Sequence, residues 1–214
     1  MLITLEGIEG SGKSTQIKRI TAHLEKRGRR CVTTREPGDT SIGKKIRAIL
    51  LDPDNSELTS LAELFLYAAD RAQHLGERVL PHLSAGDVVV SDRFFDATTA
   101  YQGYARGLDL EVIEKIHAMV LKGLRPDLTL LLDLPPEVGL GRAISAIEAG
   151  DRTVDESRFE QEALAFHEKV RAGYLALARR EPERFVVIDA TVSPDEVTDA
   201  ITRAIDDRLG RNKG

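Results

Sequence analysis

The stretch Gly7-Ile8-Glu9-Gly10-Ser11-Gly12-Lys13-Ser14 fits the pattern G-x-x-x-x-G-K-[ST] at every fixed position. Glycines let the backbone curl so that several N–H groups point inward, and a helix starting near Lys13 aims its positive end at the same point. The result is a cradle for phosphate. Lys13 is placed to lie between the outer phosphates of a nucleoside triphosphate, and the Ser14 hydroxyl to help hold the magnesium ion that bridges them. Gly7, Ile8, Glu9, Gly10, Ser11, Gly12, Lys13, Ser14 and Thr15 are therefore read as the ATP-binding segment.

Further chemistry-bearing residues stand at intervals behind this loop. Asp92-Arg93 follows the apolar run Val88-Val89-Val90-Ser91, where a carboxylate that faces magnesium or its water shell belongs. The planar fork of Arg93 suits a second phosphate, the one that receives the transferred group. A purely structural ion pair would place the same two residues there. Tyr67 and Arg71, four apart, share one side of a helix. That side is either a solvated polar flank or an aromatic face with a guanidinium beside it, which is what a flat nucleobase needs. Phe94 to Gly107, with Thr98, Tyr101 and Gln102, has the composition of a ligand-bonding loop or short helix. Glu148 to Arg158 is polar and charge-mixed with a glycine hinge at Gly150. It is an exposed loop or a lid that delivers an arginine to the transferring phosphate. Arg152 is the first candidate, then Arg142 and Arg158, with the lid taken as about residues 142–158.

Positioning these groups requires a sheet. Apolar runs at Leu2 to Glu6, Cys31 to Thr34, Val88 to Ser91, Leu128 to Leu134 and Phe185 to Ile188 alternate with amphipathic helical segments. The pattern predicts an α/β fold with a five-stranded parallel sheet flanked by helices, whose ligands bind beyond the carboxyl ends of the strands. Strand exits such as Arg35-Glu36, Asp92-Arg93 and Asp133 carry charge. Ser60 with Glu63 reads as a capping box, opening a helix whose apolar face includes Leu61, Leu64, Phe65 and Ala68. Before it, Ile42, Ile46, Ile49 and Leu50 predict the buried stripe of a shorter helix.

At 214 residues the chain is read as one domain, 1–214, with no repeat or linker to divide it. The net charge of -5 and the lack of a basic run exclude a nucleic-acid backbone as main partner. One cysteine, Cys31, rules out an internal disulfide and a multi-cysteine zinc site, and the five histidines have no metal-ligand spacing. No apolar run has membrane-spanning length and none reads as a secretory leader, so a soluble cytoplasmic protein is expected.

Taken together, Leu5 to Thr15, Thr34-Arg35-Glu36-Pro37-Gly38, Ser91-Asp92-Arg93-Phe94 and Ala100-Tyr101-Gln102-Gly103 resemble the bacterial thymidylate kinase family in order and spacing over nearly the whole chain. The resemblance implies the nucleoside monophosphate kinase fold and transfer of the γ-phosphoryl group of ATP to dTMP, giving dTDP and ADP for dTTP synthesis. Magnesium as cofactor and a homodimer are implied with it. By the same resemblance, Glu9 approaches the sugar 3′-hydroxyl, Arg47 and Arg93 hold the dTMP phosphate, and Tyr67 stacks on thymine. Arg71 hydrogen-bonds the base, Thr98 and Gln102 meet the base or nearby groups, and Tyr101 crowds the 2′ carbon. Glu36 is grouped with these acceptor-binding residues. The catalytic set is Lys13, Asp92, Arg93 and Arg152, with Ser14 and Asp92 toward the metal. Phe94 replaces a common tyrosine or histidine, Asp39 a common glycine, and the lid has fewer arginines than many members. The alternatives are a small P-loop kinase with another acceptor, or a nucleotide-binding switch; the latter lacks the guanine-reading N-K-x-D signature.

Overall fold

The computed structural model describes residues 1–149 and 157–211. Five strands form one parallel sheet: β1 (Leu2–Glu6), β2 (Cys31–Arg35), β3 (Val88–Asp92), β4 (Leu128–Asp133) and β5 (Phe185–Asp189), in the order β2-β3-β1-β4-β5. Central β1 is buried along its whole length, Leu2, Ile3 and Leu5 among it, as expected of a strand covered on both faces. The order reverses at β1, which sends β2 and β3 to one side and β4 and β5 to the other. The loop after β1 thus opens at a topological switch point, where a crevice must form.

The helices are α1 (Lys13–Lys26), α2 (Ser41–Leu51), α3 (Ser60–His74), α4 (Leu80–Ser84), α5 (Phe95–Thr98), α6 (Leu110–Leu121), α7 (Pro136–Glu148), α8 (Leu164–Arg180) and α9 (Pro194–Arg211). α3 runs into α4 through a π-helical turn at Leu75–Val79, and α5 continues as a second one at Thr99–Ala105. The predicted ligand loop is therefore helical, and its π turn carries Tyr101 and Gln102, a place where such irregular turns often mark function. The main core packs Ile3, Leu5, Leu130 and Leu132 of the sheet against α1, α8 and α9 through Ile20, Leu24, Val170, Leu177, Ile201 and Ile205.

Several helix details differ from expectation. Thr59, not Ser60, caps α3, its hydroxyl accepting from the Ala62 N–H at 3.4 Å. Glu63 is buried instead and accepts from Gln102, Arg106 and Arg158. Three donors in a dry site hold the carboxylate more firmly than one backbone N–H at a helix end could. Ile42, Ile49, Leu61 and Phe65 are largely exposed, Phe65 at 55 %, because the buried side of α2 is set by Gly43, Leu50 and Leu51 and that of α3 by Leu64 and Ala68. The predicted stripes are wider than the faces that pack. Cys31 is half-buried at the start of β2. At the C-terminal helix the expected box forms: Ser193 N–H donates to Glu196 at 3.1 Å and Glu196 N–H to the Ser193 hydroxyl at 3.3 Å. The segment expected as a lid begins as ordered helix, since Arg142 to Glu148 belong to α7.

Candidate active site

The loop between β1 and α1 wraps an open cleft of about 1510 Å³, lined by Glu9 to Thr15 together with Arg35, Glu36, Arg47, Asp92, Arg93 and Arg142. Gly10 shows why the pattern requires glycine. Its φ is +68°, and a Cβ there would lie 1.9 Å from the carbonyl oxygen of Gly139 at the start of α7. The loop is thus pressed against a neighbouring helix and has no room for a side chain. Lys13 Nζ donates to the carbonyls of Gly7 at 3.0 Å and Ile8 at 2.9 Å and to the Ser11 hydroxyl at 3.2 Å. Burial, then the nearby Arg93 charge, push the ammonium down to about 8, so an incoming polyanion meets a cation that gains from the contact. Ser14 and Asp92 line the same cleft. No group of three or more His, Cys, Asp or Glu able to hold a metal occurs among the described residues. This donor set fits magnesium arriving with its nucleotide, because the ion takes one or two protein oxygens and draws its other ligands from phosphate and water.

A second cavity, of about 590 Å³, opens beside the first and is lined by Tyr67, Arg71, Phe94, Thr98, Tyr101, Gln102 and Phe159 among others. Glu9, Glu36, Arg47 and Arg93 line both cavities. Two carboxylates and two guanidiniums therefore stand at the junction.

The junction is tightly wired. Arg93 holds φ at +66°, a conformation unusual for a side chain of this size, and reaches back to the phosphate loop. Its guanidinium donates to Glu9 Oε1 at 2.8 Å and to the Tyr174 hydroxyl at 3.2 Å, and stacks over the Tyr101 ring at 4.9 Å. The Tyr101 hydroxyl donates to the same Glu9 oxygen at 2.7 Å. Burial works against the Glu9 charge, but Arg93, His167, Lys13 and Tyr101 outweigh it and hold the carboxyl well below its usual range. Arg71 is buried and donates to Glu36 Oε2 at 2.7 Å and to the Thr98 hydroxyl at 3.0 Å. Glu36 Oε1 meets His74 Nδ1 at 2.8 Å. Arg47 donates to the Pro37 carbonyl at 2.9 Å, and Gln102 donates to Glu63 at 2.7 Å.

Apart from Arg158 and from Gly7 and Ile8, which sit behind the loop as partners of Lys13, every residue expected at the site and described in the structure lines one of the two cavities. Arg152 lies outside the described residues. Arg158 is turned away from the cleft: it is buried and donates to the Leu50 carbonyl at 2.6 Å and to Glu63. Arg142 lines the phosphate cleft but is tied to the Ala190 carbonyl at 2.9 Å.

Three further residues were not singled out from the sequence. Glu6, the last residue of β1, accepts from the Phe94 N–H at 2.7 Å and from the Tyr174 hydroxyl at 2.7 Å. Burial, with Asp96 second, pushes its carboxyl up to about 8. Tyr174 and His167 come from α8, on the stripe shared with Val170 and Leu177. A histidine and a tyrosine on an otherwise apolar stripe were the available signal.

A model of the thymidylate kinase family matches residues 5–201. Among curated proteins, a thymidylate kinase of Desulforapulum autotrophicum is 60 % identical over 98 % of this chain and 92 % of its own length. One of Desulfosudis oleivorans is 55 % identical over 96 % of both. Among solved structures, the thymidylate kinase of Ehrlichia chaffeensis superposes with a TM-score of 0.75 at 30 % identity, over 96 % of this chain and 98 % of that one.

Proposed function

The chain belongs to the thymidylate kinase family, and we propose that its joined cavities are the donor and acceptor sites for transfer of the γ-phosphoryl group of ATP to dTMP, giving dTDP and ADP in dTTP synthesis. The observation that carries this reading is the sharing of Glu9, Glu36, Arg47 and Arg93 by the two cavities. A phosphate bound at the mouth of the acceptor cavity lies across these four shared side chains from the phosphates cradled by the loop. Phosphoryl transfer asks little more of a protein than positioning and electrostatic stabilisation.

The roles are those the family resemblance implies, and the geometry supports them. Backbone N–H groups of the loop and Lys13 hold the outer phosphates of ATP, and Lys13 exchanges its carbonyl partners for phosphate oxygens. Arg93 and Arg47 grip the acceptor phosphate from the junction. Glu9, fixed at one oxygen by Arg93 and Tyr101, meets the 3′-hydroxyl of the acceptor sugar. Tyr67 and Phe94 wall the base cavity, Arg71 with Thr98 offers the base its hydrogen bonds, and the Tyr101 ring crowds the 2′ carbon. Ser14 and Asp92 would hold magnesium, which would supply neutralisation of the negative charge that develops on the phosphates. Arg152 supplies the remaining cation.

On this reading the chain works as a homodimer in the cytoplasm. In support, Leu61 and Phe65 of α3 and Met119 of α6, 75 % exposed, are exposed apolar side chains on two helices that pack on each other. No described helix is long and apolar enough to cross a membrane. The decisive assay is ADP release with ATP and magnesium, with dTMP, dUMP, dGMP, dCMP, UMP and AMP as acceptors. Strong preference for dTMP is the expected result, and ATP binding without phosphorylation of any monophosphate would overturn the reading.

A further inference from the structure

Two of the buried polar atoms that lack a hydrogen bond among the described residues face each other: Glu9 Oε2 and His167 Nδ1, 3.3 Å apart. The His167 ring is fully buried. Its other nitrogen, Nε2, lies 3.0 Å from the carbonyl oxygen of Phe159. A carbonyl only accepts, so Nε2 carries a proton. On the opposite side stands the Glu9 carboxylate, whose Oε1 already takes donors from Arg93 and Tyr101 and which has Lys13 nearby. Both neighbours of the ring are thus acceptors. A ring with one proton would set a bare lone pair against a carboxylate in a dry site, an arrangement that leaves two buried groups unsatisfied.

We propose that His167 is a positioning residue for the acceptor, carrying protons on both nitrogens and donating from Nδ1 to Glu9 and from Nε2 to Phe159. Phe159 walls the acceptor cavity and stands edge-on to Tyr101 at 5.3 Å. One ring therefore ties the phosphate loop to the chain that closes the cavity, and fixes the second oxygen of Glu9 while Arg93 and Tyr101 fix the first. Glu9 is the charged group in contact with the ring among the described residues; Arg93 and Lys13 stand behind it. The inference rests on the reading of this cavity as the dTMP site, and its function is to aim Glu9 at the sugar hydroxyl.

The test has a part independent of that reading. Nitrogen-15 spectra of the full-length protein at neutral pH should show His167 with both ring nitrogens protonated, the signal being assigned by its loss in His167→Gln; a single neutral tautomer overturns the proposal. In kinetics, His167→Asn keeps a donor where Nδ1 stood, whereas His167→Gln keeps only the one toward Phe159. A charge-assisted hydrogen bond of ordinary strength sets the expected rise in the KM for dTMP at about tenfold in His167→Gln. The kcat and the KM for ATP should stay within about twofold, and His167→Asn should lie near the parent. Equal losses in both variants would mean a merely structural ring and overturn the proposal. The same enzymes are then given 3′-deoxythymidine monophosphate. The parent should lose affinity on this acceptor and His167→Gln should lose nothing further, as coupled groups do. If the parent does not distinguish the two acceptors, the role of Glu9 falls with the positioning built on it, while the spectra still judge the protonation of the ring. If the parent distinguishes them and His167→Gln is equally worse on both, the reading of Glu9 stands and the positioning role falls.

Discussion

Arg93 concentrates the chemistry of this site in one side chain. It sits one residue beyond β3 with φ at +66°, and its guanidinium is shared between Glu9 and Tyr174. A left-handed backbone at a non-glycine residue costs on the order of 1–3 kcal/mol, which the surroundings must offset. Here the compensation comes from charge-assisted bonds and the stack on Tyr101. Lysine in its place would carry the same charge and the same backbone strain but would lack the planar fork, so Arg93→Lys isolates the fork. If, as proposed, the fork stabilises charge in the transition state, kcat/KM for dTMP should fall by about 10²-fold or more without it, and the thermal midpoint should fall as well, because the bonds that offset the backbone strain go with the fork. Steady-state kinetics beside a melting curve will check it, and near-parental kinetics would show that charge alone suffices.

At the scale of elements, the parallel sheet and the phosphate loop were legible in the sequence because both are locally encoded. Buried strands read as apolar runs, and the loop needs its glycines at fixed spacing. What could not be read is where distant elements deliver side chains. Tyr174 and His167 reach Glu6 and Glu9 across more than 150 positions of sequence, and no local period announces such pairings. Glu63 misled for the opposite reason: its spacing from Ser60 matched a capping box, but tertiary donors claimed it. The same long-range burial has a measurable consequence at α6. His117 packs edge-on against Phe95 at 5.1 Å, and burial, with Arg71 second, pushes it down to about 2 from an ordinary 6.5. Its folded-state value is depressed, so between these limits the unfolded chain binds the extra proton and stability falls as pH falls. Below about pH 6.5 this one group contributes a loss approaching 1.4 kcal/mol per pH unit. His117→Gln keeps a polar partner for Thr99 without a titrating ring. Chemical denaturation of both proteins from pH 7 to 4 should show a shallower decline for the variant, and parallel curves would assign the acid lability elsewhere.

For the molecule as a whole, two matters decide how the site works: what covers α3 and α6, and what completes the charge over the transferring phosphate. Phe65 is an exposed aromatic on a helix whose opposite side, through Tyr67 and Arg71, lines the acceptor cavity. If a second copy covers it, Phe65→Asp should convert a dimer into monomers, as read by light scattering at micromolar concentration. Association would then also support α3 from behind, so KM for dTMP should rise in the monomer. The second matter is an inventory of cations. Arg35, Arg47, Arg93 and Arg142 line the phosphate cleft. Arg47 and Arg93 face the acceptor at the junction, and Arg142 is tethered to the Ala190 carbonyl. Arg158 is committed to Leu50 and Glu63. On the proposed reading, the charge that develops between donor and acceptor falls to Arg152. A cation delivered to a transferring phosphoryl group contributes about 10³–10⁵ in kcat, so Arg152→Ala should lose at least the lower figure with little change in the KM for dTMP. Arg142→Ala should lose far less. Single-turnover measurements with both variants separate the chemical step from product release, and the reverse order of effects would move the role from the segment around Arg152 to α7.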